Sequence, residues 1–259
     1  MEKMPVLFVG HGSPMNAIED NAFSRAWTAL GDAFPVPKAI LSVSAHWFTR
    51  ETLVNDSAAP EMIYDMYGFP EALYRLKYPA PGSPALAHRV HALIGERIEI
   101  DNGWGIDHGT WSVLRRVYPS ADIPIVQLSV NARLSPAEHL ALGRTLKPLR
   151  DEGVLIFGSG NVVHNLSLVD WSMDDGYPWA EEFDAFIRRA VTSRTFDDVA
   201  NYRQAGRPAE LAVPTPDHFS PLLYALGASD EHDALRVFND ACLLGSMSMT
   251  SYLFTPEQT

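Results

Sequence analysis

Nine histidines stand in this chain of 259 residues, and five of them occupy settings suited to chemistry. His11 lies in "VLFVGHGSPMNA", between two glycines at the end of an apolar run. His46 closes "AILSVSAH", and His164 follows the turn "GSGN" in "VLIFGSGNVVHN". His108 sits in "GWGIDHGTW", and His218 in the proline-stiffened "VPTPDHFSP". Imidazole titrates near neutral pH and is the commonest side-chain metal ligand. Several imidazoles converging on one point make a site for Zn, Fe, Cu or Ni. With three as ligands, two remain for proton transfer. An open three-ligand site serves a non-haem Fe(II) oxygenase and a zinc-bound hydroxide equally well, so local chemistry alone does not choose.

The elements that must position these residues are legible as short apolar runs. Pro5–Val9, Ala39–Ala45, Ile123–Val130 and Val154–Phe157 read as buried strands. Segments of helical period lie between them: Phe23–Phe34, Pro84–Gly95, Trp111–Tyr118, Ser135–Arg150, Trp179–Thr192 and Phe219–Leu226. Ser83-Pro84 and Ser135-Pro136 are helix starts, the second with Glu138 completing a capping box. The alternation predicts a single α/β domain over residues 1–259, with a largely parallel sheet flanked by helices. Asp233–Asn239 and Ser246–Phe254 read as late, antiparallel edge strands. The irregular stretch from Thr49 to Tyr78, rich in Tyr, Phe and Met, reads as a loop over one face. In such sheets ligands bind beyond the carboxyl ends of the strands. His11, His46 and His164 all reach that edge.

Blander readings compete at each position. A histidine at a strand end can satisfy a backbone carbonyl, and Asp107 or Asp217 can cap the helix that follows while His108 or His218 is incidental. Trp47, Phe48, Trp104 and Trp111 adjoin the motifs and serve either as walls for a ring substrate or as core aromatics. His88 and His91, three apart on one helix, read as an exposed pair, and His139 and His232 as solvated residues.

Composition excludes several functions. A net charge of −12 opposes nucleic-acid binding, which needs a basic face. No apolar run reaches the roughly 18 residues of a membrane span, and "MEKMPVLFVG" carries no signal-peptide pattern. The single cysteine, Cys242, reads as a small packed side chain, and its solitude suits a reducing cytoplasm. "GHGSPM" lacks the third glycine of a dinucleotide loop, and "GSGN" is no nucleophile elbow.

In series, "HGSP", "SAHW", "DHGTW", "GSGNVVHN" and "PTPDHF" resemble the class III extradiol ring-cleavage dioxygenases, in particular the DOPA 4,5-dioxygenase-like branch. The resemblance runs from Pro5 to about Phe254. It implies a mononuclear non-haem Fe(II) site, in which zinc can replace iron, and O2-dependent opening of a catechol beside its two hydroxyls. It implies His11, His46 and His218 as metal ligands. His164 is implied as a base close enough to the metal to be described as a fourth ligand, and His108 as a second acid/base or orienting group. Distant members use a glutamate as third ligand; none stands near "PTPDHF", where Asp217 is the weaker alternative to His218. A zinc hydrolase using the same histidines is the competing enzyme. A tetrapyrrole chelatase leaves "SAHW" and "GSGNVVHN" unexplained, and a metal-binding protein without turnover needs no spare acid/base groups.

Overall fold

Side-chain alternation along the buried strands divides the core into two layers. Val6, Phe8, Leu41, Val43, Val126, Leu128 and Ile156 point into one; Leu7, Val9, Ile40, Ile125, Leu155 and Phe157 point into the other. The period of two that puts successive residues on opposite faces makes both faces apolar.

The computed structural model describes residues 2–257. Its strands are β1 (Val6–Gly10), β2 (Ala39–Thr49), β3 (Leu53–Val54), β4 (Glu99–Ile100), β5 (Ile125–Asn131), β6 (Val154–Gly160), β7 (Ala234–Phe238), β8 (Cys242–Leu243), β9 (Met247–Ser248) and β10 (Ser251–Thr255). One eight-stranded sheet has the order β4-β3-β5-β2-β6-β1-β10-β7, and β8 pairs with β9 apart from it. The central strands β5, β2, β6 and β1 are mutually parallel. This is the expected single α/β domain.

One face carries the helices Pro84–Ile94, Pro136–Leu146, Pro178–Thr192 and Ser220–Ala228; the other carries Ala22–Thr28, His108–Val117 and the connection that includes Met66 to Ala80. Ser135 accepts from the Glu138 N–H and Glu138 reaches back to the Ser135 N–H, the reciprocal cap legible in the sequence. Among the described residues, no helix is long and apolar enough to cross a membrane.

Four expectations need correction. The strand holding His46 does not stop at Ala45 but continues to Thr49 through a bulge. Five steps of β2, from Val43 to Phe48, match two of β5. β10 is antiparallel to β1 but is no edge, because β7 covers it. The Thr49–Tyr78 stretch contributes β3 and a short helix, Glu71–Tyr74, besides loop. His139 is not solvated: it is 2% exposed, with its ring 5.1 Å from that of Tyr224. The Pro136–Leu146 and Ser220–Ala228 helices pack together there, so a helix-start position lies inside the core. His88 is exposed, as expected, and contacts Asp56.

Candidate metal centre

The carboxyl ends of β1, β2 and β6 meet at one rim: His11 follows β1, His46 lies within the last residues of β2, His164 follows β6, and His108 and His218 arrive at the starts of the His108–Val117 and Ser220–Ala228 helices. The His11 N–H continues the ladder by donating to the Gly160 carbonyl, 3.0 Å away. The β2 bulge re-aims His46 toward the same point, as an extra residue in one strand of a pair does. The Asn161 N–H donates to the His218 carbonyl at 2.8 Å. That approach needs Gly160, since a Cβ there would lie 2.1 Å from the same carbonyl oxygen. The His164 N–H donates to the Ala212 carbonyl, and Asp107 caps the helix that begins at His108.

Ring centroids lie 5.0 Å apart for His11 and His46, 5.4 Å for His11 and His218, and 5.0 Å for His46 and His218. One ring nitrogen from each of the three falls within 4.8 Å of the others. His108 is beside them, 3.9 Å from the His46 centroid. His164 stacks on His218, with centroids 3.5 Å apart and planes 6° from parallel. All five residues singled out in the sequence therefore form one cluster.

Each of the three central imidazoles has an oxygen beside Nδ1. His11 Nδ1 is 2.9 Å from Ser159 Oγ, His46 Nδ1 is 3.0 Å from Asp65 Oδ2, and His218 Nδ1 is 2.9 Å from Asp217 Oδ2. Placing the proton on Nδ1 leaves Nε2 as the lone-pair donor, which is how protein sites orient imidazole ligands. The Nε2 atoms of His11 and His46 are 3.1 Å apart, and His218 Nε2 is buried without a partner. Lone pairs that close repel unless a cation or a proton stands between them. The donor set therefore fits a metal ion.

Electrostatics agree. Burial, followed by the neighbouring imidazoles, holds His11 well below the ordinary histidine range. Burial pushes His218 down to about 4 against the opposing Asp217 carboxylate, and His164 down to about 2. His46 is also disfavoured by burial as a cation, but Asp65 and other carboxylates outweigh this and raise it. Asp65 and Asp217 are raised by burial, yet their histidine partners hold both well below the usual carboxylate range.

Two of these supporting residues, and the buried Asp107 behind them, carry no functional motif of their own in the sequence. Asp65 lies in the irregular "IYDMYGF"; a lone carboxylate among aromatics was the available signal. Ser159 hides in "GSGN". Asp107 is both helix cap and buried acceptor, bonded by Ser44 Oγ, Trp104 Nε1 and Gln127. Asp217 is not a cap, because the Ser220–Ala228 helix has no side-chain cap and Asp217 bonds His218 and Thr215. Trp111 and Trp47 are buried core aromatics, while Trp104 is half-buried and Phe48 exposed.

The family described as the catalytic LigB subunit of aromatic ring-opening dioxygenase matches residues 6–255. The chain belongs to that LigB family. Its relatives include a 4,5-DOPA dioxygenase extradiol of Escherichia coli (strain K12), 47% identical over 96% of this chain and 94% of the relative. Another of the same name, from Beta vulgaris, is 41% identical over 96% and 95%. A crystal structure of an uncharacterized Escherichia coli K12 protein superposes with a TM-score of 0.85 at 43% identity, covering 97% of this chain and 99% of that one. As a LigB-family member with such relatives, the protein is an extradiol ring-cleavage dioxygenase. The expected resemblance and enzyme class hold.

Proposed function

We propose that this protein opens the ring of a catechol with O2 at a mononuclear Fe(II) site held by His11, His46 and His218, with zinc able to take the same place. The observation that carries the reading is the arrangement of three imidazoles whose Nδ1 atoms face oxygens, leaving three Nε2 lone pairs to face one another. DOPA or a similarly substituted catechol is the substrate class, by analogy with the relatives named for it. Bound there, ferrous iron supplies Lewis acidity toward the catechol oxygens and a route for electrons from the ring to dioxygen.

The protein's own groups supply the proton traffic. Burial keeps His164 neutral, so its lone pair is available to a catechol hydroxyl. An anionic catecholate beside the ring would offset the burial that disfavours the imidazolium. Stacking on His218 fixes the plane of His164 next to the metal-binding trio and supports a base rather than a fourth ligand. His108, on the other side of His46, is the second acid/base group. Its position at the first turn of a helix, gripped through Asp65, keeps it from rotating away. The lone buried cysteine suits a cytoplasmic setting for such an enzyme.

Oxygen uptake and product spectra across a catechol panel, after anaerobic Fe(II) loading, test the reading. A yellow ring-opened product from DOPA or a related catechol is the expected result. Ester or amide hydrolysis by the zinc form, with no oxygen uptake by the iron form, would replace it with the hydrolase. His164→Ala should keep its metal and lose ring opening by at least about 100-fold; a variant retaining most activity removes His164 from the chemistry.

A further inference from the structure

Asp65 touches two of the five histidines at once, and no other carboxylate in the cluster does. Oδ2 lies 3.0 Å from His46 Nδ1, and Oδ1 lies 3.0 Å from His108 Nδ1. Oδ1 also accepts the backbone N–H of His108 at 3.0 Å. The side chain is 11% exposed and comes from the connection between β3 and the Glu71–Tyr74 helix, far in sequence from both partners. The two ring contacts are bent rather than collinear, since neither Asp65 Oδ2 nor His108 Nδ1 makes a well-aligned hydrogen bond. The chemistry is the same, because a carboxylate oxygen 3.0 Å from a ring nitrogen is repulsive unless that nitrogen carries a proton.

We propose that Asp65 is a two-armed positioning residue. One oxygen fixes the proton of His46 on Nδ1, so that Nε2 is free to bind the metal. The other fixes the proton of His108 on Nδ1, so that Nε2 is free to exchange a proton with substrate. A single carboxylate thus sets the tautomer of a ligand and of an acid/base residue together. This rests on the metal-site reading above.

Asp65→Asn separates the two arms. The amide has one oxygen and one NH2. The backbone N–H of His108 points at the Oδ1 position and demands the oxygen there, which puts the NH2 against His46. His46 must then carry its proton on Nε2, where it blocks metal binding, while His108 keeps its tautomer. The test is a Zn2+ titration against a chromophoric chelator, with histidine tautomers read by long-range 1H–15N NMR in the zinc-loaded protein. Wild type should show Nδ1–H on both His46 and His108. Asp65→Asn should bind Zn2+ about 10–100-fold more weakly, with Asp65→Glu recovering part of the loss. Unchanged zinc affinity in Asp65→Asn, or an Nε2–H tautomer on either histidine in wild type, overturns the proposal. So does a stoichiometry of two zinc ions falling to one in the variant. His46, Asp65 and His108 also lie within 4.8 Å of one another, and that result would make Asp65 a ligand. These readouts need no turnover, so they stand or fall separately from the ring-opening assay.

Discussion

Ser159 Oγ donates its only hydrogen to the Gly109 carbonyl, 2.6 Å away, and lies 2.9 Å from His11 Nδ1. With its hydrogen committed, the hydroxyl can only accept from His11. This neutral group therefore fixes the imidazole tautomer as the carboxylates do for His46 and His218. Removing it in Ser159→Ala takes the acceptor away from His11 Nδ1 and frees the His11 proton to move to Nε2, while the Gly109 carbonyl keeps its place in the ladder of the His108–Val117 helix. Metal affinity should fall about 10–100-fold in a chelator competition, with the fold retained by circular dichroism. Wild-type affinity in that variant would show that His11 needs no help from Ser159.

Gly109 has a second role. A Cβ at this position would lie 2.8 Å from His46 Cδ2 and 2.9 Å from Ser44 Oγ. In an unobstructed helix, Gly→Ala stabilises by roughly 1 kcal/mol. Here overpacking, at about 1–3 kcal/mol, opposes that gain and must move His46 or the helix. Gly109→Ala should lower the thermal midpoint and reduce bound metal together. A raised midpoint with full metal content would mean that His46 has room to spare.

His139 gives a pH signature away from the metal. Burial pushes it down to about 4, with Glu138 opposing weakly. The unfolded chain takes up this proton near pH 6.5, whereas the folded protein does so only near 4. Stability from this group is complete above about pH 6.5 and is lost as pH falls toward 4. The full difference is about 3 kcal/mol at roughly 1.4 kcal/mol per pH unit. Urea unfolding at pH 7 and pH 5 should show a steeper loss for wild type than for His139→Leu. Equal losses would mean that the buried ring is protonated as readily as a free one.

Much of this fold is legible in the amino-acid sequence. The strands and helices announced themselves because their cores are continuous: the period-two alternation in "VLFVG" and "VLIFG" is the physical cause of a sheet covered on both faces. The helix at Ser135 was readable because its cap is local. His139 reads as solvated in the sequence and is buried in the fold because whether a helix-start residue faces water depends on a second helix, Ser220–Ala228, some eighty positions later. The full extent of β2 is not legible locally because a bulge is a relation between two strands.

The sequence by itself determined the class of fold, the five histidines and the family, since these rest on residue types, short-range periodicity and motif order. Only the tertiary structure decided which oxygen faces each imidazole. Ser159 and Asp65 reach their partners through the closure of separate segments, and side chains 148 or 19 positions apart in the chain carry no local pattern that pairs them; Asp217 adjoins His218 in the chain, but only the fold turns its carboxylate onto Nδ1 rather than onto the following helix. Tautomer, and with it the direction of every lone pair at the centre, is therefore a property of the folded packing.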